Sequence, residues 1–190
     1  ATNILKQHPA PHRLRLVLGL DAKNPAIVCP DADLSVAVSQ CLAGTLGFNG
    51  QRCTALKLIY VHADVYDAFL EQFSAAVDSL PIGQPFSDAN ITPLAEGTKK
   101  VKQLRKYIDD AVSKGARVTT KRSSVTSDGE DAPIMAPVVV ADITRDMILF
   151  EEEQFGPVVP VMKFTDSSEV LEDVRKSNYG QQASVFSTSH

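Results

Sequence analysis

Apolar positions in this chain fall into two rhythms that take turns. Short continuous apolar runs, the signature of strands buried on both faces, occur at Leu14–Leu18, Ala26–Cys29, Leu56–His62, Ala116–Thr120, Pro137–Ala141, Pro157–Phe164 and Ala183–Phe186. Between them lie stretches with apolar residues spaced by three and four. One is capped by Asp33 and runs to about Leu46. A second runs from Ala63 to Leu80 with Val65, Phe69, Phe73 and Val77 on one face. A third spans Gly97–Lys114 with Val101, Leu104, Ile108 and Ala111 in a stripe and Gly115 as its stop, and a fourth spans Ser167–Ser177. Gly47–Gly50 and the Pro81–Gly83–Pro85 cluster break the pattern, and Asp88–Pro93 reads as a turn region. Ser123–Asp131 is polar and reads as a surface loop. Helices of this length between strands are crossover connections. The pattern therefore predicts an α/β fold with a mostly parallel twisted sheet and helices on both faces.

Composition narrows the function. The chain has 190 residues, 44% hydrophobic and 22% charged, which suits one packed domain and argues against a disordered chain. A formal net charge of −4 provides no general attraction to nucleic acid or anionic membrane. No apolar run approaches the ~20 residues of a membrane helix, and the polar start of the chain lacks the core of a signal peptide. The three cysteines, Cys29, Cys41 and Cys53, are too few and too regularly spaced for a disulfide framework or a zinc signature, so a reducing, cytoplasmic setting without metal is expected. Cys29 and Cys41 sit in apolar surroundings and read as small core residues. Cys53 lies in Gly50-Gln51-Arg52-Cys53-Thr54-Ala55, polar company with a cation next door, and reads either as an inert loop cysteine or as an accessible nucleophile.

Glu151-Glu152-Glu153-Gln154-Phe155-Gly156-Pro157 admits two readings as well. Three adjacent carboxylates are ordinarily a solvated charge run. The run leads directly into a strand, however, which places Glu153 and Phe155 where a ligand meets a carboxylate and a ring, and carboxylates suit ribose hydroxyls. His8 and His12 are four apart, but Pro9 and Pro11 forbid a regular helix there. The chain has no glycine-rich dinucleotide fingerprint, no phosphate-binding loop and no Gly-x-Ser-x-Gly.

Four ordered segments together resemble the catalytic domain of the aldehyde dehydrogenase superfamily: Ala22-Lys23-Asn24-Pro25-Ala26-Ile27-Val28 with Asp31-Ala32-Asp33, the Cys53 segment, Glu152-Glu153-Gln154-Phe155-Gly156-Pro157-Val158, and Asn178-Tyr179-Gly180 with Ala183–Phe186. The resemblance implies that Cys53 is the nucleophile, forming a thiohemiacetal and then a thioester while NADP or NAD takes the hydride. It implies that Glu153 binds the nicotinamide ribose and that Phe155 lies beside the nicotinamide. Arg52, followed by Thr54-Ala55, is similar to the non-phosphorylating glyceraldehyde-3-phosphate dehydrogenases of that superfamily and implies a substrate-phosphate role, which suits a guanidinium fork. The family's usual general-base glutamate falls here on Val17 or Gly19, and neither can take a proton. That departure favours, as an alternative, a CoA-acylating semialdehyde dehydrogenase, in which a thiol accepts the acyl group. A catalytically inactive interaction module is the third reading. The resemblance further implies that residues 1–190 are a thiol-bearing catalytic domain cut from a longer protein, with the nucleotide-binding domain before it. It implies a small-molecule aldehyde as substrate, no nucleic-acid or membrane partner, and a homo-oligomer for the complete protein.

Overall fold

A computed structural model describes residues 2–15, 19–122 and 133–189. In chain order the elements are α1 (Thr2–Lys6), β1 (Pro25–Val28), α2 (Leu34–Leu46), β2 (Leu58–His62), α3 (Tyr66–Ser79), α4 (Thr98–Ser113), β3 (Arg117–Val118), β4 (Val138–Ala141), α5 (Ile148–Glu151), β5 (Val158–Phe164), α6 (Ser167–Lys176) and β6 (Ser184–Phe186). The strands form one six-stranded sheet in the order β3-β4-β5-β2-β1-β6. All pairings are parallel except the edge pair β3–β4. The register sets Pro25 opposite Leu58, Ile59 opposite Val161 and Ala26 opposite Ser184.

Alternation along the strands splits the core into two layers. Ala26, Val28, Ile59, Val61, Val139, Ala141, Val159 and Val161 pack under α2 and α3, against Ala37, Cys41, Phe69 and Phe73. Their neighbours Leu58, Tyr60, Val138, Val140, Val158 and Met162 face the other way, against Leu104 and Ile108 of α4, Leu149 of α5 and Val170 of α6. Helices thus cover both faces, as the pattern predicts. Asp33 caps α2 by accepting the N–H groups of Ser35 and Val36. Gly115 follows α4 with φ 101, a left-handed stop.

Several local expectations change. Leu14 and Arg15 are not in a strand, and the rest of the Leu14–Leu18 run lies outside the described residues, as does the Ser123–Asp131 loop. The Ala116–Thr120 run contributes only a two-residue antiparallel edge strand. A short helix not expected from the pattern, α5, forms just before the acidic run and shares only Glu151 with it; Leu149 is buried and Asp110 accepts the N–H of Ile148. A short 3-10 turn, Pro11–Arg13, begins at the second proline and contains His12.

The strand order has one functional consequence. Residues 153–155, 53–57, 23–24 and 181–182 are far apart in sequence, yet each segment enters the sheet at the amino end of one of the adjacent strands β5, β2, β1 and β6. They meet on one rim. Ligands of open α/β sheets ordinarily gather at the carboxyl ends; here the chemistry-bearing side chains gather at the opposite ends, on the loops that enter the strands.

Candidate active site

The loop that carries Cys53 is built by what precedes it. α2 ends at Leu46, and Phe48, Asn49 and Gly50 all adopt left-handed backbone, with φ of 54, 60 and 69. At Gly50 a β-carbon would lie 2.7 Å from Thr45 O and 2.8 Å from Gly156 O, so only glycine lets the two loops approach. Asn49 locks the turn from outside: its Oδ1 accepts the Thr92 N–H at 2.9 Å. Arg52 to Ala55 then form a tight turn closed by Ala55 N–H to Arg52 O at 3.1 Å. Cys53 sits exposed at its tip, whereas Cys41 is buried and Cys29 half-buried. Burial pushes the Cys41 thiol up to about 12, so it is inert where it sits.

Asn24 fastens this turn. It is buried, and its Nδ2 donates to Cys53 O at 2.8 Å and Ala55 O at 2.9 Å, while its own carbonyl accepts Lys57 N–H at 2.8 Å. Gln182 Nε2 donates to Thr54 O from the segment before β6. The turn bearing the thiol is therefore held from the entrances to β1 and β6.

Glu153 and Phe155 lie on the loop from α5 to β5. Phe155 has a left-handed φ of 42, unusual for a ring-bearing residue. Gln154 between them is buried and donates to Lys57 O at 2.8 Å and Val158 O at 2.9 Å. Lys23 donates to Gln154 Oε1 at 2.8 Å and Glu152 O at 2.6 Å. Burial, with Lys57 nearby, lowers Lys23 to about 7. Lys57 lies 3.3 Å from Glu153 Oε1, and both side chains are out of water, 1% and 9% exposed. That carboxylate oxygen accepts no hydrogen bond from the described residues. The structure thus brings Cys53 and the Glu153–Phe155 pair onto one rim, with Gly50 and Gly156 touching between them.

Among the described residues three clefts open there: the largest, of about 870 Å³, is lined by Lys23, Asn24, Glu152, Tyr179 and Gln182 among others, and two smaller ones adjoin the motif residues. One, of about 400 Å³, is lined by Glu153, Phe155, Asp21, Lys100, Tyr107 and Tyr179 among others. The other, of about 530 Å³, is lined by Arg52, Thr54, Gln40, Gln182 and Ser184 among others. Arg52 turns to this second side: its Nη2 donates to Ala43 O at 3.3 Å and its guanidinium lies over the Phe48 ring at 5.4 Å. A carboxylate, an aromatic ring and a lysine around a small cleft suit the ribose and ring of a dinucleotide. Lys23, Asn24 and Gln154 also build this site; they stand inside the quoted segments, which assign them no role, whereas Lys57 and Lys100 lie outside those segments. The available signal was Lys57 itself, a lysine interrupting the apolar Leu56–Val61 run.

Among the described residues no helix is long and apolar enough to cross a membrane. The sequence profile of the aldehyde dehydrogenase family matches residues 1–190. The chain is 39% identical over 174 residues to an NADP-dependent glyceraldehyde-3-phosphate dehydrogenase of Streptococcus equinus, covering 92% of this chain and 35% of that protein. Its fold superposes on the crystal structure of NADP-dependent glyceraldehyde-3-phosphate dehydrogenase from Bacillus halodurans complexed with NADP, with TM-score 0.81 and 35% identity over 90% of this chain and 34% of that one. It superposes also on a succinate-semialdehyde dehydrogenase from Burkholderia pseudomallei, with TM-score 0.88 and 32% identity over 99% of this chain and 38% of that one. The chain spans about a third of the length of these relatives.

Proposed function

Because the chain belongs to the aldehyde dehydrogenase family, we propose that it is the thiol-bearing domain of a longer enzyme that oxidises an aldehyde to its acid with NADP. The observation that carries this reading is the fastening of the exposed Cys53 turn to the Glu153–Phe155 loop on one rim of the sheet.

In this reading the Cys53 thiolate adds to the aldehyde carbonyl, forming a C–S bond and an oxyanion that backbone N–H groups of the turn help to hold. Glu153 accepts the ribose hydroxyls, and Phe155 and Lys100 border the cleft that takes the nicotinamide end. Bound there, the oxidised nicotinamide is the acceptor for the hydride that leaves the adduct. Cys53 is then left as a thioester, and water releases the acid and the thiol.

For the substrate, Arg52 supports glyceraldehyde 3-phosphate, oxidised to 3-phosphoglycerate. The guanidinium borders its own cleft one residue from the nucleophile, and a fork of donors suits a phosphate. The Streptococcus equinus relative carries that activity in its name. A CoA-acylating reading is favoured by one specific observation, the absence of a carboxylate at Val17 and Gly19, where the hydrolytic base would stand.

The test is NADP reduction by the full-length protein with glyceraldehyde 3-phosphate, without inorganic phosphate, with and without CoA, beside Cys53→Ser. Steady turnover without CoA that disappears in Cys53→Ser is expected. Turnover only with CoA replaces the hydrolytic reading with the acylating one. Turnover that survives Cys53→Ser removes Cys53 from the chemistry, and no turnover with any aldehyde leaves the inactive module.

A further inference from the structure

We infer that Lys57 is the positioning residue that sets Glu153 and Phe155 for the dinucleotide and ties that setting to the Cys53 turn, an inference that rests on the reading of Glu153 given above. Lys57 meets three consecutive residues of the loop before β5, each by a different bond. Its ammonium pairs with Glu153 at 3.3 Å. Its backbone carbonyl accepts the Gln154 amide at 2.8 Å. Its ammonium also lies 4.8 Å from the centre of the Phe155 ring. The same ammonium donates to Gly50 O at 2.9 Å, at the head of the turn that carries Cys53, and its backbone N–H donates to Asn24 O.

A lysine only 1% exposed is an expensive way to fill space, since a buried ammonium must be repaid by placed partners and an apolar side chain of similar volume serves as well. Burial draws the Lys57 ammonium toward its neutral form, and Glu153 opposes that. Glu153 thus opposes the loss of charge on Lys57, and Lys57 in turn aims the Glu153 side chain. Phe155 supplies an independent sign. Its left-handed backbone is strained for a residue with a ring and persists only where the surroundings over-determine it. Lys57 holds the two residues before Phe155 and the face of its ring. Lys100, the other ammonium at this ring, lies farther out at 6.0 Å and is engaged with Gln103 and Glu96. Only Lys57 bridges to the cysteine turn.

The experiment is a double-mutant cycle of Lys57→Met and Glu153→Gln in the full-length protein, with NADP affinity read by titration calorimetry. Each single variant is expected to weaken NADP about tenfold, and the double variant to be no weaker than Glu153→Gln alone, because Lys57 acts through Glu153. Losses that simply add, or a Lys57→Met affinity within about twofold of wild type while Glu153→Gln is weakened, overturn this inference alone. A Glu153→Gln affinity equal to wild type overturns the reading of Glu153 itself, and this inference with it. Free alkylation of Cys41 reports unfolding; if Lys57→Met unfolds the domain, Lys57→Gln, which keeps a donor for Gly50 O without the charge, is read in its place.

Discussion

Asn24→Ala isolates the clamp on the cysteine turn. The side chain lies buried at the entrance to β1 and its two amide hydrogens are both spent, on Cys53 O and Ala55 O. Truncation leaves the buried Ala55 carbonyl without a partner, which costs about 1–3 kcal/mol. The Cys53 carbonyl belongs to an exposed residue and can turn to water, so its loss is about 0.5–1.5 kcal/mol. Together the domain should open more easily by about 1.5–4.5 kcal/mol. Cys41 is an internal gauge of that opening, because it packs in the same core layer as β1 and is fully buried. Its alkylation proceeds only through opened molecules, and when reclosing is fast the rate tracks their population. The Cys41 labelling rate, separated from Cys53 by mass spectrometry, should therefore rise about 10- to 1,600-fold in Asn24→Ala. Asn24→Asp should be worse near neutral pH, since it turns a carboxylate toward two carbonyl oxygens, and should recover in acid as protonation restores one donor. A Cys41 rate in Asn24→Ala within about threefold of wild type would refute the clamp, since that change is under about 1 kcal/mol.

Other expectations follow from the same rim. Lys23 sits at about 7 in the folded protein against an ordinary 10.5. Between those values the unfolded chain holds a proton that the folded one has shed, so stability rises with pH by about 1.4 kcal/mol per unit from this group and is flat below pH 7. Wild type and Lys23→Met, compared by Cys41 labelling from pH 7 to 9, should differ in slope by that amount, and parallel curves would contradict it. Gly50→Ala forces a left-handed alanine, a strain of about 1–2 kcal/mol, and sets its β-carbon against two backbone carbonyls that cannot withdraw. Gly156→Ala instead meets Leu104 Cδ1 at 2.5 Å, the end of a side chain that can rotate. The thermal midpoint should thus fall further for Gly50→Ala than for Gly156→Ala, and the reverse order would show that the two loops are not in register as described.

The layers of this fold were readable because strands buried on both faces leave continuous apolar runs and their helices leave stripes. The Asp33 cap and the Gly115 stop are local chemistry and appear where the sequence places them. What could not be read is what depends on distant partners. Ala116–Thr120 has strand-like residues, but only two of them find a ladder, against β4. α5 exists because Asp110, 38 positions earlier in the chain, accepts the Ile148 N–H. At the candidate site, Cys53, Glu153 and Phe155 stand in motifs and could be named in advance. Lys23, Asn24 and Gln154 stand in the same segments and Lys57 just beyond one, but their role could not be read, because lysines and amides read as surface until three strand entrances converge on them. Arg52 was named, but that its guanidinium turns toward α2 and the Phe48 ring depends on the left-handed turn at Phe48 and Asn49.

The central position of β2 shapes how the chain is made. One side of β2 pairs with β1, which has already left the ribosome; the other pairs with β5, so that Ile59 waits for Val161 roughly a hundred positions later. At about 5–20 residues per second that wait lasts about 5–20 seconds, during which Leu58–Val61 presents an unpaired apolar border. Such a border is a template for another chain in the same state. The thiol turn emerges at the start of this interval and the acidic loop at its end, so for those seconds the newborn chain carries Cys53 and Lys57 without Glu153. Its yield then rests on synthesis outpacing encounter, a kinetic condition set by strand order alone.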